Sequence, residues 1–215
     1  MRVICFFLLL LCAAACRPQP AGLQTGDLLF IGIPGDYIPE EGSMDEAITA
    51  ATGGGELNLI HVSIVEVDAA GEPWVIDATF KHNVDRYPLD TLISDFTLKD
   101  GSLPTYILKR LRDTTGVTQF VENAKSYIGE PYDIAFLQDN GAHYCSELVR
   151  DAYRRADGSY LFEEKPMNFR NSEGEMPPYW EILFASIGME VPQGVPGTNP
   201  QEMSQSPVLE TVAFR

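Results

Sequence analysis

Apolar positions recur along this chain in two rhythms, a short one typical of strands and a longer one typical of helices. The run Leu28-Leu29-Phe30-Ile31, within Asp27–Ile33 and bounded by Gly26 and Pro34-Gly35-Asp36, predicts a buried first strand. Leu59–Val67 alternates, with Ile60, Val62 and Ile64 on one face and His61, Ser63, Val65 and Val67 on the other. Asp68-Ala69-Ala70-Gly71 then turns the chain, so that Pro73–Thr79 returns as an antiparallel partner. Thr105–Leu111 reads as a further strand. Ser43-Met44-Asp45-Glu46 has the capping-box form and opens a short helix that Gly53-Gly54-Gly55 ends. A helical turn near Leu89–Ile93 and helices over Val117–Ile128 and Trp180–Ile187 follow from their apolar spacing. Residues 191–200 form a Pro/Gly/Asn-rich tail, and the chain shows neither an internal repeat nor a second domain boundary.

The remaining helix matters most. Leu148, Val149, Ala152, Tyr153 and Ala156 share one helical face, and Asp157-Gly158 offers a stop. Asp139-Asn140-Gly141 upstream is turn material. Cys145 is therefore placed at or near a helix N-terminus, where free backbone N–H groups and the positive dipole end favour a thiolate.

The first residues change how that cysteine is read. Met1-Arg2, the apolar run Val3–Leu11 and Ala13-Ala14-Ala15 predict a secretory signal over residues 1–16. A helix over Val3–Ala15 would be about 20 Å long, short of a ~30 Å hydrocarbon core. Its end at Cys16, followed by Arg17-Pro18-Gln19-Pro20, resembles the lipobox of bacterial lipoproteins, although Ala13 stands where leucine is usual. Cys16 would then carry the lipid; ordinary cleavage after Ala15 is the alternative. Residues 17–24 read as a tether and 25–215 as one domain. Cys5 and Cys12 would leave with the signal, so Cys145 would be the one free thiol of the mature chain. An exported thiol without a partner must be buried or used.

A formal charge of −16 argues against nucleic acid and leaves a lipid on Cys16 as the membrane attachment. The chain is thus expected to be exported and held in the bacterial cell envelope. A thiol nucleophile also needs a base and a group that orients the base. Of three histidines, His143 lies in a turn two residues before Cys145, and His82 lies in a solvated loop. His61 sits on a rigid strand whose partner carries Asp77 in an otherwise apolar run, where a carboxylate needs a donor. One cysteine and three scattered histidines lack the close ligand pairs of a zinc site, so neither metal nor cofactor is expected.

Five segments carry a resemblance to a known family. They are Gly26-Asp27-Leu28-Leu29-Phe30, His61-Val62-Ser63-Ile64-Val65, Val75-Ile76-Asp77-Ala78, Gly129-Glu130-Pro131-Tyr132-Asp133 and Tyr144-Cys145-Ser146-Glu147-Leu148-Val149. Together they resemble the NlpC/P60 cysteine peptidases, and more closely the circularly permuted YiiX/YaeF-like amidases, in which the histidine precedes the cysteine. The resemblance implies an α+β, papain-like fold: an antiparallel sheet packed against helices, one of which presents the cysteine. It further implies Cys145 as nucleophile, His61 as base, Asp77 as orienting group, and Tyr132 as either a donor to substrate or oxyanion or a packing aromatic. The reaction so implied attacks an amide or ester carbonyl and passes through a thioester. Cleavage of an amide in cell-wall or related small peptides is the leading expectation. A lipid-directed thioesterase or acyltransferase, or a catalytically silent binding module, are the alternatives. Cleft walls, expected from residues 34–58 and 160–200, discriminate: apolar walls favour acyl substrates, and polar walls with a carboxylate-binding group favour peptide.

Overall fold

A computed structural model describes residues 22–52 and 55–214. The expected signal, Cys16, most of the expected tether and Gly53-Gly54 lie outside the described residues. In chain order, β1 (Leu28–Pro34) is followed by α1 (Met44–Thr52) and β2 (Leu57–Val67). Then come β3 (Pro73–Thr79), β4 (Asn83–Pro88), α2 (Leu89–Asp95), β5 (Thr105–Leu111) and α3 (Val117–Ser126). After α4 (Cys145–Ala152) the chain makes β6 (Lys165–Pro166), α5 (Pro178–Ser186), β7 (Pro196–Gly197), α6 (Pro200–Met203) and β8 (Leu209–Val212).

Six of these strands form one antiparallel sheet in the order β4-β3-β2-β1-β5-β8. It is covered on both faces, which explains why β1 is apolar at every position rather than at alternate ones. Leu28, Phe30, Val62, Ile64 and Ile76 pack with Val121 and Ala124 of α3 and Leu148 and Val149 of α4. Leu29, Ile31, Val65, Val75 and Leu108 pack on the other face with Leu89 and Leu92 of α2. Each such side chain, fully buried, is worth about 1.5–3 kcal/mol against exposure. A third, mostly aromatic cluster of Phe136, Tyr144, Phe169, Trp180 and Phe184 caps the end of the molecule where α4 begins.

The chain enters the sheet through a tightly held segment. Asp27, buried, accepts from Arg110 Nε at 2.6 Å and Nη2 at 2.8 Å. Gly26 has φ +86°, and a Cβ there would lie 1.9 Å from Val117 Cγ2, so a glycine is required. Tyr153 donates its hydroxyl to the Gly26 carbonyl at 2.9 Å, fixing the end of α4 to this segment.

The structure differs from the sequence expectation in several details, the two-residue strands β6 and β7 and the short helix α6 among them. α4 stops at Ala152 instead of continuing to Ala156, because Tyr153 turns inward to Gly26 and residues 154–160 close on themselves. Asp157-Gly158 is the turn of that closure, with Arg155 N–H donating to Ser159 O at 2.8 Å. The strands β4 and β8 were not expected. Both lie at sheet edges and carry mixed polar residues, so neither shows clean alternation.

Candidate active site

Three elements converge at one end of the sheet. β2 carries His61, β3 carries Asp77, and α4 begins with Cys145. The ladder between β2 and β3 runs from Val67–Pro73 to Ile64–Ile76. Beyond it the two strands are joined through side chains, with His61 Nε2 at 2.8 Å and 3.0 Å from the two Asp77 oxygens. The start of α4 is held separately. Asp133 N–H donates to His143 O and His143 N–H to Pro131 O, each at 3.1 Å, a short bridge that delivers Tyr144 and Cys145. Tyr144 then pins the helix entrance: Thr198 N–H donates to its hydroxyl at 3.0 Å and its own N–H to Glu147 Oε2 at 3.3 Å.

Asp77 is fully buried and fully supplied with donors. Besides the imidazole it accepts from Ala78 N–H at 2.8 Å and from the Tyr87 hydroxyl at 2.7 Å. Burial, then the charge of Asp77 and the hydrogen bond to it, raise the Tyr87 phenol, which stays a donor. With Nε2 committed to Asp77, Nδ1 of His61 is the nitrogen left for Cys145, which is near enough to act on the ring. Burial alone would push the imidazole pKa down; the charges of Asp77 and Cys145, with the hydrogen bond to Asp77, outweigh it and bring the ring up to about 10. Phe96, just past α2, stacks on the ring with centroids 4.6 Å apart. A cationic imidazole beside a sulfur at a helix N-terminus is a setting that activates a thiol.

Tyr132 stands at the same place. Its ring packs on Phe80 at 4.5 Å, and its hydroxyl makes no hydrogen bond among the described residues. Burial, and next the nearby charge of Cys145, keep that phenol protonated. The other two histidines are elsewhere. His82 Nε2 meets Asp95 at 2.7 Å and its ring lies 4.4 Å from Tyr87, behind the Asp77 side. His143 lies between Glu130, 2.8 Å from Nδ1 but without hydrogen-bond geometry, and Asp151, 3.4 Å from Nε2.

Cys145 and His61 open onto a cleft of about 280 Å³. Both expected wall segments line it, and the walls are largely apolar: Ile48, Phe80, Phe136, Met167, Phe169 and Trp180. Its cation, Lys81, is paired with Asp95 at 2.5 Å. No group of three or more His, Cys, Asp or Glu side chains is arranged to hold a metal among the described residues. Sequence reasoning did not find Tyr87, Phe96 or the buried Glu147. A tyrosine ten residues after Asp77 carries no signal until β4 is known to lie beside β3.

A family model for permuted papain-like amidases, the YaeF/YiiX or C92 family, matches residues 22–213. The uncharacterized protein YiiX of Escherichia coli strain K12 is 27% identical over 193 residues, 88% of this chain and 86% of that protein. The crystal structure of the metalloprotein YiiX from Escherichia coli O157:H7 has the same fold. Its TM-score is 0.66 at 24% identity, over 89% of this chain and 97% of that one.

Proposed function

The chain belongs to the permuted papain-like amidase family, and from that premise we propose that it is a cysteine amidase whose substrate carries an apolar acyl group. One observation carries the reading: the His61 ring is held through Nε2 by Asp77, faces Cys145, and shares with it a cleft walled by apolar side chains. The thiolate Sγ attacks the carbonyl carbon. The Cys145 N–H, free in the first turn of α4, and the Tyr132 hydroxyl stand beside the sulfur as donors to the oxyanion. His61 gives its proton to the leaving nitrogen as the C–N bond breaks, which leaves a thioester on Sγ. It then takes a proton from water, whose oxygen displaces the sulfur and releases the acid. Asp77 and Tyr87 hold the ring in one tautomer and orientation.

The walls move the substrate reading from cell-wall peptide toward acyl compounds, since the cleft offers no unpaired cation for a peptide carboxylate. The test is mass spectrometry after incubation with medium-chain N-acyl amides, phospholipid and peptidoglycan fragments, with Cys145→Ala as control. An acyl mass on Cys145 and release of fatty acid are expected. Cleavage of peptidoglycan fragments alone would restore the peptide reading. Absence of any acyl adduct, together with equal labelling of Cys145→Ala by a thiol-directed probe, would end the hydrolase reading. We also propose export and lipid attachment at Cys16, which the mass of the mature N-terminal peptide decides against cleavage after Ala15.

A further inference from the structure

With 31 acidic and 15 basic residues, most of the basic side chains in the described residues are paired with a carboxylate, Lys109 and Arg170 being exceptions that bond Thr211 and the Gly174 carbonyl. Arg86 reaches Glu66, Arg110 reaches Asp27, and Lys125 reaches both Glu66 and Glu122. Arg154 and Arg155, adjacent and exposed, make no ion pair among the described residues. Arg154 lies 5.8 Å from the Tyr160 ring centroid, and one Arg155 nitrogen donates to Ser159 Oγ at 3.3 Å and Tyr160 O at 3.2 Å. A third guanidinium, Arg112, donates to Pro207 O at 3.2 Å and is only loosely paired with exposed Glu210 at 3.5 Å.

All three arginines line one cavity of about 660 Å³, more than twice the volume of the cleft at Cys145. Its carboxylate, Asp113, is close enough to Arg155 to feel its charge and is already engaged by Thr115 N–H at 3.0 Å. The walls include the side chains of Leu111, Phe120 and Val208, so a charged rim surrounds an apolar floor. Gly116 also lines the cavity and precedes α3 in the left-handed conformation, without a side-chain cap. The positive end of that ten-residue helix adds to the arginines.

We propose that this cavity binds a phosphate group, held by Arg112, Arg154 and Arg155, with an attached apolar portion against its floor. The segment by which the chain enters the domain lies alongside, since Gly26 packs on Val117 at the start of α3. Six residue steps from Cys16 to Gly22 span at most about 20 Å. A lipid on Cys16 would therefore keep the cavity within reach of the bilayer surface, which favours a phospholipid headgroup as the source. The site itself does not depend on that anchor or on the amidase reading.

The test is calorimetric titration of the full chain with inorganic phosphate and, separately, with short-chain dihexanoyl phosphatidylglycerol. Dihexanoyl phosphatidylcholine serves as the headgroup without net charge. Saturable binding of an anionic probe is expected, weakened at least about tenfold in Arg154→Gln/Arg155→Gln, since each lost charged hydrogen bond has that scale. Arg170→Gln, an exposed arginine elsewhere, should leave it unchanged, and thiol-probe labelling of Cys145 reports that each variant is folded. Comparable binding of inorganic phosphate would identify the free anion as sufficient; binding of phosphatidylglycerol alone would identify the headgroup with its chains. Equal binding of phosphatidylcholine would show that the phosphate itself, not net headgroup charge, is recognised; no saturable binding, or equal binding by the double variant, would overturn the proposal.

Discussion

Two buried histidines lie near the same cysteine, and their surroundings differ in kind. His143 is two residues from Cys145, yet both its nitrogens face carboxylates, Glu130 and Asp151, and its ring rests 4.4 Å from Tyr127. His61 is distant in sequence, and only one nitrogen is committed to a carboxylate while the other meets sulfur. A ring with a carboxylate beside each nitrogen has neither nitrogen turned to the sulfur. The strand, rather than closeness in sequence, aims the proposed base. The turn region is built to hold the helix start in place; the strand region leaves one nitrogen free for chemistry.

Replacing the sulfur probes both regions at once and should have the largest effect. Cys145→Ala is expected to abolish turnover and thiol-probe labelling while thermal melting shows an intact fold. Next, His61→Ala should lower kcat/KM by roughly 10²–10⁴-fold, the range typical of a lost acid–base group. His143→Ala and His82→Ala should each stay within about tenfold of wild type by that scale. Equal losses in all three, read as alkylation rates of Cys145, would erase the distinction between the two regions.

A pH profile sharpens the contrast further. The His61 pKa rises from 6.5 to about 10 on folding, so its stabilising contribution is complete below 6.5 and disappears as pH climbs through about 10. Activity that depends on the imidazolium should therefore be level on the alkaline side until near pH 9 and then fall. A base-side decline centred near 6.5 would contradict the Asp77 and Cys145 contacts.

The smallest effect concerns Glu147, at the start of α4 near Asp133 and Asp151. Burial, then the charge of Asp133, push its carboxyl up to about 9, so it is neutral when folded at pH 7. An unfolded glutamate ionises near 4.5, hence the folded form binds the extra proton and stability falls as pH rises from 4.5 through 9. Glu147→Gln should flatten that slope and raise stability by about 1–3 kcal/mol at pH 8, measured by chemical denaturation. It keeps an oxygen for the Tyr144 N–H, so Cys145 labelling should persist.

What could be read in the sequence follows from what has a local signature. Alternation in Leu59–Val67 and a turn before a helical spacing placed His61 and Cys145 on the correct kinds of element, and Asp77 stood out in an apolar run. Tyr87 had no such mark, because β4 mixes Val84 and Tyr87 with Asp85 and Arg86 and shows a partner only once the sheet is assembled. The end of α4 misled for the opposite reason: Ala156 continues the helical pattern, but the Tyr153–Gly26 hydrogen bond draws the chain away first. The wall segments were identified as segments. Their chemistry emerged from the packing of Phe136 and Phe169 around Trp180.

The Tyr153–Gly26 tie has a further bearing. It fastens the helix that presents the sulfur to the strand edge where the polypeptide begins its sheet, far from the reacting groups. Partial loosening at that far end would let the proposed nucleophile drift without disturbing the imidazole. Inactivation by heat or denaturant can then begin at the end of α4 away from Cys145 and precede wholesale melting.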